Sequence, residues 1–354
     1  MLRKCSFICL MLLLLTGCVE KEILDDISIE SGLGFDYYKK GQILGTALVP
    51  NYMPDKSIKN VTYTSVSAMN RELFLEMQRQ SADPLVIGSL QVALFGEKLA
   101  KNGIIDLIDS LQRDATIGER LYLVVVDGKA SELLKHDYGT SGNATYISNL
   151  IEQNIKARDL PKSNLHRFIY DFFQTGKDSY LPTLKKIGKD KMEISGISLF
   201  KKDKVVDTLP TSKMFFFKLL VDQYSEGTYK IKMGDEEAAV RSILSKTHFE
   251  LSKKNPTEVT IHIKIKGSIR EFSGNKLSSK AIKAIEKNME KKVNQESLKL
   301  LNHFKEIGID PVGIGHFVKS RTRHFDYEKW KTTYKTVPIK IETKVKIIDA
   351  GVIE

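Results

Sequence analysis

Cysteine is almost missing from this chain: Cys5, Cys9 and Cys18 are its three, all within the first eighteen of 354 residues. The remainder can form no disulfide, thiolate metal site or thiol nucleophile, so its stability rests on packing. Long apolar runs are as scarce. Beyond Phe7–Leu15, no stretch approaches the roughly 20 apolar residues that a membrane-crossing helix needs. There is no His-Glu-x-x-His, no Walker-type loop and no Gly-x-Ser-x-Gly elbow. Gly32-x-Gly34 and Gly313-x-Gly315 lack the third glycine of a dinucleotide loop and read as turn chemistry. The seven histidines are scattered; His316 and His324 share a segment, but a polar surface position accounts for each. Arg113-Asp114 lies between a helix and a strand, where an ion pair or helix-end interaction is the simpler reading and ligand recognition the alternative. No catalytic or metal-ligating residue is assigned, and ligand-binding residues are left unknown.

What is present begins with a leader. Arg3 and Lys4 precede the apolar Phe7–Leu15, small residues follow, and residues 1–17 read as a signal peptide. Leu15-Thr16-Gly17-Cys18 resembles a bacterial lipobox. That resemblance implies lipidation of Cys18: a diacylglycerol thioether, with an N-acyl chain as an optional addition and no other cofactor. The alternatives are an ordinary signal peptide with an incidental cysteine, or an uncleaved anchor. Two acyl chains hold a protein to a bilayer stably where one is marginal. On such a chain the sequons at Asn60 and Asn143 carry no meaning. The net charge of +11 falls to +9 once Arg3 and Lys4 leave with the leader. Basic surface on a membrane-held chain suits anionic headgroups, cell-wall polymer or an acidic partner, and not nucleic acid. Many lysines alternate with apolar residues, so part of the excess is a solvated sheet face.

Residues 18–30 are acidic and polar, as in a tether. In residues 31–188 strand and helix patterns alternate. Ser89–Phe95 reads as a strand, and Leu99, Ile104, Leu107, Ile108 and Leu111 trace a helix interrupted at Asn102-Gly103. Leu121–Val126 is a continuous apolar run, as in a strand buried on both faces. Helices are expected from Asn143, as its cap, and from near Ser163. This rhythm predicts a mixed sheet with helices packed on it. Residues 189–255 are expected to form a small middle unit: two strands over Lys191–Leu209, an apolar helix capped by Thr211, two more strands, and a boundary at Asn255-Pro256. Residues 256–354 pair an alternating strand from Val259 with a long helix, about Ser278 to Ile307, stopped by Gly308. A last alternating strand spans Val337–Ile347, and antiparallel pairing is expected. No internal repeat is visible. The class is α+β, with three domains of mixed or antiparallel sheets packed against helices behind a lipoprotein signal.

Several blocks, in order, carry a further resemblance: the lipobox, Gly32-Leu-Gly34-Phe35-Asp36, Gly96-Glu97-Lys98-Leu99-Ala100 with Gln112-Arg113-Asp114, Gly196–Lys204, and Asp310-Pro-Val-Gly313-Ile-Gly315 with Trp330. Together they resemble the Ger(x)C lipoproteins, the C subunits of bacterial spore germinant receptors. Val19 departs from the Trp that members often carry there. The resemblance implies a non-enzymatic protein of three α+β domains, held by its lipid on the outer face of the spore inner membrane. It also implies two integral-membrane partners, the A and B subunits, in nutrient sensing. The rival reading is an extracytoplasmic solute-binding lipoprotein of a transporter, which calls for two similar lobes around a cleft.

Overall fold

The computed structural model describes residues 27–118, 120–233, 236–252, 258–274 and 277–349. The lipobox and Cys18 lie outside them. The end of the expected tether does not: strand β1 (Ser28–Ile29) pairs parallel with β5 (Leu85–Val86), and Glu30 is buried. The folded part therefore begins before residue 30.

The first sheet takes its strands from β2 (Gly32–Lys39), β3 (Gln42–Tyr52), β4 (Ile58–Ser67), β6 (Val92–Gly96), β7 (Tyr122–Val126), β8 (Tyr180–Ile187), β9 (Lys191–Lys201) and β10 (Lys204–Pro210). Their spatial order is β10-β9-β8-β7-β6-β2-β3-β4. The inner four run parallel, and both flanks are antiparallel hairpins. Between the strands come helices α1 (Asn70–Gln78), α2 (Glu97–Asn102), α3 (Ile105–Arg113), α4 (Ala130–Leu134), α5 (Asn143–Ala157) and α6 (Leu165–Phe173). Gly103, at φ +122°, is where α2 gives way to α3. The apolar run of β7 has the meaning its composition suggests. Leu123 and Val125 enter the core under α1, α2, α3 and α6, while Val124 and Val126 enter the core under α4 and α5. A sheet covered on both faces needs such a strand.

The residues of the expected middle unit are shared between two sheets. β9 and β10 complete the first sheet, and β11 (Tyr224–Met233) and β12 (Glu236–Leu251) open the second. The physical reason is α7 (Thr211–Val221), whose Met214, Phe215, Phe216, Phe217, Leu219 and Leu220 are all buried. A helix apolar around its whole circumference must be covered on every side. Here both sheets supply the cover, so one core runs unbroken from Leu48 and Val124 through α7 to Ile261 and Phe304.

The second sheet has the order β11-β12-β13-β14, with β13 at Val259–Phe272 and β14 at Ile339–Asp349. Between β13 and β14 lie α8 (Ser279–Ile307), α9 (Ile314–Arg321), α10 (Tyr327–Thr333) and a 3-10 turn (Tyr334–Thr336). The antiparallel pairing expected of the last strand is corrected: β14 runs parallel to β13. A 29-residue helix, about 43 Å long, carries the chain back along a 14-residue strand of about 46 Å, so the next strand must start from the same end. Ser278 Oγ accepts from Ala281 N at 3.2 Å to start α8, and Gly308, at φ +73°, ends it, as expected. β14 is an edge strand, and α8 blunts it: Val345 N and Ile347 N donate to Glu290 and Glu286 at 2.9 and 2.8 Å.

Candidate functional site

The sequence blocks gather at two places. At the carboxyl ends of the parallel strands, buried Asp36 accepts from Ala130 N and Ser131 N at 2.8 and 2.9 Å, holding the start of α4 against the sheet. A β-carbon on Gly96 would lie 2.1 Å from Asp36 Oδ1, and one on Gly34 would lie 2.8 Å from Leu134 Cδ1. These glycines let the helix approach. A β-carbon on Gly196 would meet Leu209 O at 2.4 Å, so this block serves the β9–β10 hairpin.

Beside the Asp36 cap opens a crevice of about 510 Å³, lined by Glu97, Asp127, Thr183, Lys185, Glu193 and Ser195, among others. Ligands of open α/β sheets occupy this end of the strands. Lys185 Nζ stands 3.8 Å from Asp127 Oδ2, Thr183 Oγ1 and Ser198 Oγ are 2.8 Å apart, and Ser195 Oγ donates to Thr183 O at 3.3 Å. The hydroxyls are engaged with each other and with main chain, and they can hold a polar group. Sequence reading had missed these residues because polar side chains alternating along a strand look like a solvated face.

The second place is the joint between the two sheets. Asp310 is buried, and its oxygens accept from Gly313 N and Gly315 N at 2.8 and 2.7 Å. Asp178 N donates to Asp310 O at 3.0 Å, Asp310 N to Asp178 Oδ2 at 2.7 Å, and His316 N to Gly176 O at 2.8 Å. Burial, with Asp178 adding like charge, pushes the Asp310 carboxyl up to about 6. A β-carbon on Gly315 would lie 2.5 Å from Trp330 Nε1 and 3.0 Å from Gly176 Cα. The Asp310–Gly315 block and Trp330 are therefore a weld.

Charged side chains nearby tie neighbouring elements together. Asp171, buried, lies 2.8 Å from Lys177 Nζ and 3.4 Å from Arg167 Nε. Lys218 Nζ, on α7, donates to Ile155 O and Arg158 O at 2.7 Å, satisfying the end of α5. Glu296 of α8 is met by Lys213, Lys299 and Lys292, and Lys213 foremost holds its carboxyl down to about 2. A lone charge inside an apolar helical run, as in Lys218 and Asp171, was the available signal for such contacts.

The remaining candidates fall elsewhere. Arg113 pairs with Asp109 at 2.7 Å, one helical turn back, while Asp114 accepts from Thr116 N and Oγ1 at 2.9 and 2.6 Å. Asn143 is not the cap of α5, which is Gly142. Its buried amide accepts from Tyr138 N and donates to Leu134 O, both at 3.0 Å, and locks that loop. His316 sits edge-on to Tyr170, with centroids 6.4 Å apart, and His324 is exposed. Among the described residues no group of three or more His, Cys, Asp or Glu could hold a metal ion, and no helix is long and apolar enough to cross a membrane.

Comparison with known proteins accounts for nearly the whole chain. Residues 20–186 match the family described as spore germination protein N-terminal domain, and residues 195–351 match spore germination B3/GerAC like, C-terminal. Spore germination protein GerQC of Bacillus cereus is 30% identical over 348 residues, covering 96% of each chain. The putative spore germination protein YfkR of Bacillus subtilis (strain 168) is 22% identical, covering 99% of this chain and 97% of its own. The crystal structure of the GerBC protein superposes with a TM-score of 0.57 at 19% identity, over 90% of this chain and 97% of that one.

Proposed function

The chain belongs to the spore germination B3/GerAC-like family of germinant receptor C subunits, and from that we propose that it is a non-catalytic subunit of a nutrient receptor, lipid-anchored through Cys18. Its place is the outer face of the spore inner membrane, beside integral-membrane A and B subunits. One observation carries the non-catalytic reading. The residues that bear the family likeness, Asp36, Gly96, Gly196, Asp310, Gly313 and Gly315, are spent on helix capping, close backbone approach and the weld between sheets. What they build is a body whose two large sheets share a core through α7, suited to carrying partners on its outer faces. That shared core argues against a transporter's solute-binding protein. That role needs two like lobes closing on a hinge, whereas these lobes are unlike and share α7.

The test is nutrient-triggered dipicolinate release from spores of a deletion strain complemented with wild type or Cys18→Ala. The reading expects loss of at least one nutrient response on deletion, full rescue by wild type and poor rescue by Cys18→Ala. A deletion strain that keeps every response, with no second copy of the gene, refutes the receptor role. Full rescue by Cys18→Ala refutes the anchor alone.

A further inference from the structure

On the face of the second sheet turned away from α8, two adjacent rows carry one sign of charge in register. Lys246 of β12, Lys264 of β13 and Lys344 of β14 are direct cross-strand neighbours, and Lys266 and Lys346 are neighbours in the next row. All five are exposed, and among the described residues none is in an ion pair. The carboxylates closest in register do not reach them: Glu250 and Glu342 lie on His262, at 3.1 and 3.2 Å. Like charges directly opposite one another weaken a sheet. Edge protection explains lysines on β14, but Lys264, Lys266 and Lys246 lie on inner strands, where no edge needs guarding. Helix α8 also exposes lysines, Lys283, Lys287 and Lys291, but they lie along one helix and not across paired strands.

We infer that this open face lies against an anionic lipid surface and sets the orientation of the protein on the membrane. The lysine rows form a broad cationic plane, and each lysine near such a surface adds to attraction. Tyr224 and Leu244, in register with the same rows and 49% and 45% exposed, supply apolar side chains at its border, where an amphipathic ring suits the headgroup zone. An acyl anchor and a basic surface are the two signals that together give stable membrane attachment. The choice of a bilayer as occupant rests on the anchoring through Cys18 proposed above; the geometry of the rows does not.

The test uses residues 18–354 with Cys18→Ser, which hold every strand and helix described and no lipid. The protein is sedimented with vesicles of phosphatidylglycerol and phosphatidylcholine, and with phosphatidylcholine alone, at low and high salt. Binding is expected only to the anionic vesicles and to weaken with salt. Lys246→Gln/Lys264→Gln/Lys344→Gln is expected to bind about a hundredfold more weakly, about fivefold per lysine. A control with the same loss of charge, Lys283→Gln/Lys287→Gln/Lys291→Gln on α8, is expected to stay within about twofold of the parent chain. Thermal melts of both variants establish that they fold. Equal binding by the two variants, or no binding of the parent chain to anionic vesicles, overturns the inference, and an acidic protein surface then becomes the occupant to test. Because Cys18 is absent from the assay, that failure leaves the anchor untouched, and the spore experiment judges the anchor separately.

Discussion

The two large sheets of this protein solve opposite problems with the same backbone. The first is covered on both faces, and its inner strand β7 reads Tyr-Leu-Val-Val-Val, with four of its five residues buried. The second is covered on one face only, and its inner strand β13 alternates Ile261, Ile263 and Ile265 with His262, Lys264 and Lys266. The difference teaches where tolerance to change lies. The inner strands of the first sheet have no free face and can present only their ends and loops, whereas the second sheet keeps a whole face in water.

Substitutions that exchange the character of the two inner strands sharpen this contrast most. Val124→Lys places an unpaired cation in the closed sheet and is expected to cost about 4 kcal/mol or more, read as loss of soluble protein or a collapsed urea midpoint. At the joint, Gly315→Ala drives a β-carbon into Trp330 and Gly176. It is expected to cost about 3 kcal/mol. Because both sheets share one core, the urea transition should stay single; two separated transitions would show that the lobes unfold independently.

Asp310 offers a test by pH. Its carboxyl is raised from 3.8 to about 6, so the folded state holds a proton that the unfolded state releases. Stability from this group is present below about pH 4 and is lost as pH rises through about 6, a span of roughly 3 kcal/mol. Asp310→Asn should flatten that slope in denaturant midpoints taken between those limits, and an unchanged slope would remove Asp310 as its cause. Asp36→Ala, which leaves Ala130 N and Ser131 N without their acceptor, is expected to cost about 2 kcal/mol. The smallest effect belongs to the open face. Lys264→Thr should change stability by less than about 0.5 kcal/mol, and in the favourable direction, since a like-charge neighbour is removed on either side. A large loss there would mean that the face is covered.

Much of this was legible in the residues. The break at Asn102-Gly103, the buried β7 run, the hairpin after Lys191 and the Ser278–Gly308 limits of the long helix all follow from local rules of period, cap and turn. Those rules act within a few residues, so they survive transfer from sequence to structure. What they could not supply was the destination of α7. Its Met214–Leu220 segment was read as a helix of a small middle unit, although a helix apolar on every side states a need for cover without naming who provides it. The direction of β14 failed for a related reason, since alternation along a strand is silent about its neighbour. The crevice is invisible in the sequence because the β8–β9 hairpin that carries Thr183, Lys185 and Ser195 meets Glu97 and Asp127 from earlier in the chain only in the fold.

By itself, then, the sequence determined most of the elements, the limits of the long helix, the family likeness in ordered blocks, and Cys18 as the candidate lipid site. Only the tertiary structure decided that residues 189–255 are divided between two sheets, that Asp310 and Gly315 weld those sheets together, and that Lys246, Lys264 and Lys344 form a single row. The physical reason is range: capping, periodicity and turn chemistry are settled between near neighbours, whereas burial of α7 and the pairing of β12, β13 and β14 depend on surfaces that exist only once the chain has closed on itself.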